Sequence, residues 1–245
     1  MDAKNRLLFM RKFLLFIPVL LLFNGCDTAK QILESMPGSS ITAEQVAAGL
    51  KEALTIGTQN STGRLSAANG FFKNAVVKIL MPPEAEKVES TLRSLGLGSV
   101  VDQAVLSMNR AAEEAAKSAT PIFVNAIKQM TISDAISILQ GGDFAATNYF
   151  KDKTTVALTN AFKPVIDNAL QKVNATKYWS DVFTMYNKFS NKPVNTDLSA
   201  YVTGKGIDGI FYEVGLEEQK IRKDPAARVT DLLKKVFGSS LAQKN

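Results

Sequence analysis

Apolar residues recur at steps of three and four along most of this chain, which is the spacing of one face of an α-helix. The clearest series is Val101, Val105, Met108, Ala112, Ala115 and Ala119. Its small alanine side chains would let a neighbouring helix approach closely. Similar segments alternate with capping residues, prolines and glycines as far as Gly238. The pattern predicts an all-α fold, a single multi-helix globular domain of about eight to ten short and medium helices.

Residues that cap helices mark where most of these helices begin. Thr42 and Gln45 form a capping-box pattern, in which each side chain bonds the backbone amide of the other residue. Pro82-Pro83 predicts another helix start, and that helix should end at Gly96 and Gly98. Further starts are predicted at Ser99, Thr120-Pro121, Thr131, Asp143 and Asp224-Pro225, the last of them leading into a helix that runs to Phe237.

Four segments carry a less regular signal. The apolar run at 74–81 favours an extended conformation. Residues 158–173 share one long apolar face, and Pro164 is expected to bend that helix. An aromatic-rich helix is predicted over 177–189. A further helical pattern at 198–215 is weakened by Gly204, Gly206 and Gly209.

The first 25 residues have the pattern of a signal peptide. Arg11 and Lys12 precede an apolar run at 13–23, about 11 residues long, whereas a membrane span needs roughly 20. The motif LFNGC at 22–26 resembles the bacterial lipobox, although phenylalanine and asparagine replace its smaller residues. That resemblance implies lipidation of Cys26, with either Met1 or Met10 as the start. The alternatives are an uncleaved anchor and a plain secretory signal whose cysteine is incidental.

These patterns divide the chain into a signal peptide (1–25), a lipidated tether (26–41), a helical domain (42–238) and a disordered tail (239–245). Lipidation of Cys26 would anchor the protein to the inner or outer bacterial membrane on its periplasmic side, because each buried acyl methylene contributes about 0.8 kcal/mol. Residues 27–41 reach at most ~50 Å when extended. The domain is therefore expected near the membrane surface.

Charge and residue types exclude several classes of function. The formal net charge is +6, but residues 1–25 contain four cations and one anion, a net +3. The scattered +3 that remains does not form a nucleic-acid-binding surface. The chain has no histidine and one cysteine, which excludes His-dependent triads, imidazole-ligated metals, disulfides and iron–sulfur clusters. We therefore assign no catalytic residue, metal or cofactor. The missing residue types make a non-enzymatic function the favoured prediction.

Carboxylates are the remaining groups that could catalyse a reaction. Glycoside hydrolysis needs two of them facing each other across a cleft, and the candidates are Glu113, Glu114, Asp134 and Asp143. The simpler interpretation makes the two aspartates helix caps and the two glutamates solvated ion pairs. A Ser-Lys pair would be another route to hydrolysis.

Asn109-Arg110 is the pair in which we expect function, because arginine beside a helix face of small residues can bind a carboxylate or a phosphate. Together with Glu113, Arg222 and Arg228 it forms a possible ligand or ion-pair cluster. Arginines that converge on one open pocket would indicate an anionic ligand. The alternative is an internal ion pair of Arg110 with Glu113, Glu213 or Glu217.

Two further signals have weaker functional interpretations. The glycines at 204–209 superficially suggest a phosphate loop, but their spacing is wrong and the segment lies in a helical pattern. The 14 phenylalanines, with Tyr178-Trp179, could line a cavity for an apolar ligand. Aromatic residues at helical spacing more often belong to the core.

Several runs of the chain together resemble one bacterial family. They are MNRAAE (108–113), PIFVNAIKQMTISDAISIL (121–139), AATNYF (145–150), YVTGK (201–205), DGIFY (208–212) and QKIRKDPAARVTDLLKKVFG (219–238). Over 42–238 the chain is similar to an uncharacterised bacterial lipoprotein family, the domain of unknown function 4197. Gly206 departs from the family pattern, which suggests alanine there. The resemblance implies a secreted, mostly helical domain and adds no activity, ligand or catalytic residue.

Three hypotheses about function follow. The first is a lipid-anchored cell-envelope protein that acts as a helical binding or structural module. Its partners would be the membrane, through Cys26, and an unidentified envelope protein or small ligand, with no nucleic acid. The second is a carboxylate-dependent envelope hydrolase, and the third is a carrier of a lipid or another apolar ligand.

Overall fold

The computed structural model describes residues 41–188, Asn191, Pro193 and residues 196–242. The predicted signal peptide, the Cys26 lipidation site and the tether up to residue 40 lie outside the described residues. Within the described ranges the chain forms nine α-helices and no strand, which confirms the all-α prediction. The helices are α1 (Ala43–Ser66), α2 (Glu86–Ser94), α3 (Gly98–Ala116), α4 (Ala119–Gln129), α5 (Ile132–Gln140), α6 (Ala145–Lys172), α7 (Ala175–Asn187), α8 (Leu198–Lys223) and α9 (Asp231–Phe237), with 3-10 turns at Pro83–Ala85 and Pro225–Ala227.

Helix α8 is the centre of the fold. It packs against α6, α1 and α3, and fifteen of its 26 residues are buried. A helix surrounded on several sides buries more than one face, which explains why its apolar residues do not form a single stripe. Helices α4 and α5 pack on α1, α4 also packs on α6, and α9 covers the first half of α1. One continuous apolar core joins these helices.

The glycines of α8 serve close packing, and the helix continues through them without a break. A Cβ on Gly209 would lie 2.6 Å from the ring of Phe71, so alanine does not fit at this position. A Cβ on Gly206 would lie 3.7 Å from Ala112 and from Phe162, which is an ordinary contact. The alanine that the family pattern suggests at residue 206 would therefore fit without displacing its neighbours.

The predicted capping box at Thr42 and the predicted helix start at Thr131 are confirmed. Thr42 Oγ1 accepts from the N–H of Gln45, and Gln45 Oε1 accepts from the N–H of Thr42, both at 3.2 Å. Thr131 and Asp134 form the same reciprocal pair at the start of α5. After α2, Gly96 has a φ of +80°, a left-handed conformation that glycine adopts without steric penalty. All of these signals act within one helical turn.

Three other predicted caps are wrong. Ser99 lies inside α3, which begins at Gly98. Thr120 lies inside α4, and its hydroxyl bonds the hydroxyl of Thr62 on α1 at 2.6 Å. Asp143 does not cap α6, and its carboxylate pairs instead with Lys223 at the end of α8. The side chains of Thr120 and Asp143 find partners on distant helices, which a local pattern cannot show.

Several helices also differ in length from the prediction. The segments predicted as separate helices after 143 and at 158–173 form one helix of 28 residues, α6, with Pro164 inside it. Helix α8 continues beyond its predicted end to Lys223. The predicted last helix from Asp224 is a 3-10 turn followed by the shorter α9, whose cap is Thr230.

Residues 74–81 are not a strand. The chain turns at 75–77 and has no regular structure at 78–81. Ile79 is 1% exposed, and both of its backbone groups bond the side chain of Asn109 on α3. Its N–H donates to Oδ1 at 2.9 Å, and its C=O accepts from Nδ2 at 2.8 Å. The amide of Asn109 thus takes the place of the neighbouring strand that an extended, buried backbone needs.

The chain after α9 packs back onto the domain as far as it is described. Leu241 is 1% exposed. The disorder predicted for 239–245 therefore does not extend to Leu241, and residues 243–245 lie outside the described part.

Across the described ranges, no single helix is both long and apolar enough to cross a bilayer. Only Ala119–Gln129 and Ile132–Gln140 meet the length and composition requirement when taken together, and they are bent by 106° at the break between them.

Candidate functional site

The predicted pair Asn109-Arg110 holds the loop between α1 and α2 against α3. Asn109 is fully buried and binds the loop backbone at Ile79. Arg110 pairs with Glu113 one turn later and donates to Asn69 Oδ1 at 2.9 Å. Glu113 Oε1 accepts from the backbone N–H groups of residues 71 and 72 at 3.2 and 3.1 Å. Arg110 thus forms the internal ion pair that was the alternative to an anion site.

The other two arginines of the predicted cluster do not converge with Arg110. Arg222 donates to the carbonyls of residues 138 and 139 at the end of α5, at 2.7 and 3.2 Å. Arg228 donates to the carbonyls of residues 221 and 222 at the end of α8. Each guanidinium satisfies carbonyls that a helix end leaves unpaired. The predicted cluster is therefore split between separate structural contacts.

Glu218, which the sequence analysis did not single out, joins α8 to the start of α6. Its two carboxylate oxygens accept from the N–H groups of Ala146 and Thr147 at 2.9 and 2.8 Å, and from the Thr147 hydroxyl at 2.8 Å. Arg222 pairs with Glu218 at 2.9 Å. The side chain of Arg222 is 11% exposed, and that of Glu218 is 4% exposed. A carboxylate at a helix start and a guanidinium at a helix end both have favourable dipole interactions. The only sequence signal is the four-residue spacing, which is also typical of surface pairs.

Arg64 of α1 makes a second tie to α8 that the sequence analysis missed. It bridges Glu213 and Glu217 at 2.9 and 2.8 Å. Partial burial by itself would lower the pKa of Arg64, but the hydrogen bonds and charges of the two glutamates outweigh that effect, so the pKa is raised. Asn74 donates to Glu213 and Asn60 donates to Glu217, at 3.1 and 3.2 Å. Both buried carboxylates are therefore paired with a cation and an amide.

The four carboxylates considered for hydrolysis do not face one another across a cleft. Glu113 binds the loop after α1, while Glu114 pairs with Lys117 at the surface. Asp134 belongs to the α5 capping box, and Asp143 contacts the end of α8. Each serves its own element, so no facing pair is formed. In the described part of the chain, no cluster of acidic or cysteine side chains is suited to a metal ion.

An apolar pocket of about 360 Å³ lies between α2, α3 and α7. Met108 of α3, which is 1% exposed, lies at its floor. Trp179 and Phe183 of α7 form an aromatic wall, with ring centroids 4.3 Å apart. Val100 and Val173 line the mouth and are 57% and 52% exposed. The volume lies within the range of roughly 300–1,000 Å³ that is usual for small-molecule sites.

Helix α2 forms one wall of this pocket and is weakly held. None of its residues is buried, and it packs mainly on α3 and on the 3-10 turn before it. Val88 and Leu92 line the pocket. Pro82-Pro83 precedes the helix, and Gly96 follows it. Because elements with few buried contacts open at low free energy, α2 offers a route into the pocket.

Two tyrosines make the stability of the domain sensitive to alkaline pH. Burial raises the pKa of Tyr201, with a further contribution from the charge of Glu84. Burial also raises the pKa of Tyr149, together with the charge of Asp134. The folded state thus favours the neutral phenols, and the Tyr201 hydroxyl donates a hydrogen bond to the Leu80 carbonyl at 3.0 Å. Their contribution is complete below about pH 10, the ordinary tyrosine pKa, and is lost as pH rises through the raised values.

We therefore expect the free energy of unfolding to fall more steeply above about pH 10 for the native chain than for a Tyr149→Phe, Tyr201→Phe variant. The measurement is urea unfolding followed by circular dichroism at several pH values. Comparing the two chains cancels the titration of the lysines, which they share. Equal slopes would contradict the expected role of the tyrosines.

No curated protein and no solved structure matches this chain. A family model does match it over residues 40–238, a range that includes all nine described helices. The match confirms the similarity to this domain of unknown function that the sequence motifs carry. The description of the family states no activity, so function has to be argued from the geometry above. The chain belongs to the family described as protein of unknown function, DUF4197.

Proposed function

We propose that this chain is a lipid-anchored module of the bacterial cell envelope that binds an apolar ligand in the pocket between α2, α3 and α7. The observation that carries the proposal is the lining of that pocket. Of its fourteen lining residues, all except Gln103 and Ser107 have apolar or aromatic side chains. A concave apolar site with a few polar groups is the usual form of a small-molecule site.

The pocket combines a buried base with an exposed mouth. Here the bottom of the pocket contains buried residues such as Met108 and Phe183, whereas the mouth carries the exposed Val100 and Val173. An open apolar cavity of about 360 Å³ leaves apolar surface in water, and a bound apolar ligand would remove that surface from water.

Binding is favoured over catalysis by the arrangement of the charged groups. The buried carboxylates Glu113, Glu213, Glu217 and Glu218 accept hydrogen bonds from arginines, amides or helix starts, and none of them lines the pocket. These four groups thus serve structural contacts, which favours the binding hypothesis over a carboxylate-dependent hydrolase. The structural part of the first hypothesis is compatible with these ties, which hold α1, α3 and α6 to their neighbours.

The test is a substitution that fills the pocket with a larger side chain. Ala104 lines it from α3, and Ala104→Phe would place a ring in the cavity. The Cys26→Ala chain, purified without detergent from the cells that make it, is expected to retain an apolar molecule in native mass spectrometry. Ala104→Phe in that background is expected to remove the molecule. The control is Ala48→Phe, which puts the same ring on an exposed face of α1. A parent chain without ligand, or equal retention after Ala104→Phe, would contradict the proposal.

The anchor is supported by the signal-like apolar run at 13–23 and by the position of Cys26 directly after it. Two or three acyl chains would hold the protein stably at a membrane, since one chain alone binds only marginally. Cys26→Ala is therefore expected to move the protein from the membrane fraction to the soluble fraction of lysed cells. Ser94→Ala, a substitution of an exposed residue at the end of α2, should leave the distribution unchanged. Continued membrane association of the Cys26→Ala chain would speak against lipidation.

A further inference from the structure

The pocket lining contains no ionisable side chain among the described residues. Its walls are Met, Val, Leu, Ala, Trp and Phe side chains together with one glutamine and one serine. An ionised group that moved into such surroundings would lose its hydration without gaining a charged partner, which costs several kcal/mol in an apolar protein environment. The interior of the pocket therefore suits an uncharged chain.

Gln103 and Ser107 are the two polar side chains of the lining, and both lie on α3. They are four residues apart, so they lie on the same face of the helix, one turn from each other. Within the part of the chain that the structure describes, neither side chain has a hydrogen-bond partner. Gln103 is exposed and Ser107 is half-buried, so the pair extends from the mouth into the pocket. Together they offer donors and acceptors to one polar group of a ligand.

Arg93, which follows the lining residue Leu92 on α2, is not free to bind an anionic ligand. Arg93 of α2 donates to Glu89 and to Asp102, both at 2.9 Å, and these bonds raise its pKa. The guanidinium is thus already paired with two carboxylates, and the three groups carry a net charge of −1. Lys87 and Lys172 are next in sequence to the lining residues Val88 and Val173, but both are exposed. Water and salt therefore screen their charges.

The size of the pocket limits the apolar part of the ligand. A volume of about 360 Å³ is near the lower end of the usual range for ligand sites, roughly 300–1,000 Å³. One alkyl chain fits this space better than two. Trp179 and Phe183 form a continuous apolar wall along which the methylenes of such a chain would pack.

From these observations, and resting on the proposed function, we propose that the ligand is a single-chain amphiphile with an uncharged polar end, and that Gln103 and Ser107 bind that end. A long-chain alcohol and a monoacylglycerol have this chemistry. A fatty acid anion and an alkylammonium ion share the chain but carry a charge. Affinity should rise about fourfold for each added methylene until the pocket is full.

The experiment is a displacement titration on the Cys26→Ala chain in the absence of detergent. The fluorescent apolar probe N-phenyl-1-naphthylamine is bound first, and dodecanol, monododecanoylglycerol, dodecanoate and dodecyltrimethylammonium are added separately. All four share one chain length, so differences between them report the polar end. The two neutral compounds are expected to displace the probe at concentrations about tenfold lower than the charged ones.

The roles of the two polar residues are tested by the Gln103→Leu, Ser107→Ala double variant. It should still bind the probe but should bind dodecanol and monododecanoylglycerol about tenfold more weakly than the parent chain does, because the hydrogen bonds to their polar end are lost. Gln171→Leu, which changes an exposed glutamine of α6, should keep the full affinity for both compounds. Equal displacement by dodecanol and dodecanoate in the parent chain would overturn the inference alone. Absence of probe binding, or probe binding that Ala104→Phe leaves unchanged, would overturn the proposed function as well.

Discussion

Replacing Glu218 with alanine is expected to lower the free energy of unfolding by about 3–5 kcal/mol, the cost typical of removing one partner from a buried ion pair. Arg222 would be left buried without its carboxylate, and the first N–H groups of α6 would lose their acceptor. Because small domains are stable by only about 5–15 kcal/mol, much of the protein should unfold at moderate temperature. The same residues tie α5, α6 and α8 together, so the loss should affect the whole domain.

Urea unfolding followed by circular dichroism measures this difference, provided that the variant keeps the m-value of the native chain. Glu114→Ala is the matched control, since Glu114 pairs with Lys117 at the surface and both side chains are more than half exposed. It should change the free energy by less than about 1 kcal/mol. A similar small effect for Glu218→Ala would show that water replaces its contacts.

Asn109→Ala is the second substitution with a large expected effect, about 2–5 kcal/mol of stability. Its side chain supplies both hydrogen bonds to the backbone of Ile79, and neither residue has access to water because they are 0% and 1% exposed. The variant would leave an N–H and a C=O buried without partners. Asn109→Asp should be at least as damaging, because it removes the amide donor to the carbonyls of residues 79 and 105 and buries a charge.

The measurement is thermal unfolding by calorimetry combined with hydrogen exchange of the Ile79 amide. We expect this amide to lose its protection in Asn109→Ala, together with a lower melting temperature. Asn160→Ala removes an exposed asparagine from a helix and should leave both unchanged. If the Ile79 amide stayed protected in Asn109→Ala, another group would have to accept its hydrogen bond. The role proposed for the Asn109 side chain would then be incorrect.

The sequence predicts those parts of the fold whose cause is local. The helical periodicity identifies the class. The capping box at Thr42 and the start signal at Thr131 predict the first residues of α1 and α5, because the partners of each cap are only three residues away. The positive φ of Gly96 follows from the same kind of reasoning. In these cases the physical interaction is complete within a few residues, so no tertiary information is needed.

The predictions that fail concern side chains whose partners are distant in sequence. Asp143 has a favourable capping residue type and position, but Lys223 binds it from α8. Arg110, Arg222 and Arg228 share only their charge, and each bonds a different loop or helix end. A sequence shows which side chains can pair, whereas the packing of the helices decides which of them do.

The pocket could be anticipated only in part. The aromatic run that includes Trp179 was considered as a possible cavity lining, and Trp179 does line the pocket. The lining residues of α2 and α3 precede Trp179 by more than 70 residues in the chain. Gln103 and Ser107 look like ordinary surface positions of an amphipathic helix until α7 is placed opposite them.

Helices α1 and α8 are antiparallel, and this arrangement determines how far the start of α1 lies from the pocket. Gly57 of α1 lies beside Glu217 of α8, and Arg64 reaches back to Glu213. Counting 1.5 Å per residue from this level, the start of α1 lies roughly 20 Å to one side, and Leu198, which lines the pocket, lies roughly 30 Å to the other. The first residue of α1 and the α8 end of the pocket therefore lie at opposite ends of this helix pair, roughly 50 Å apart along its axis. A ligand in the pocket and any contact made at the start of α1 would be separated by the full length of the domain core.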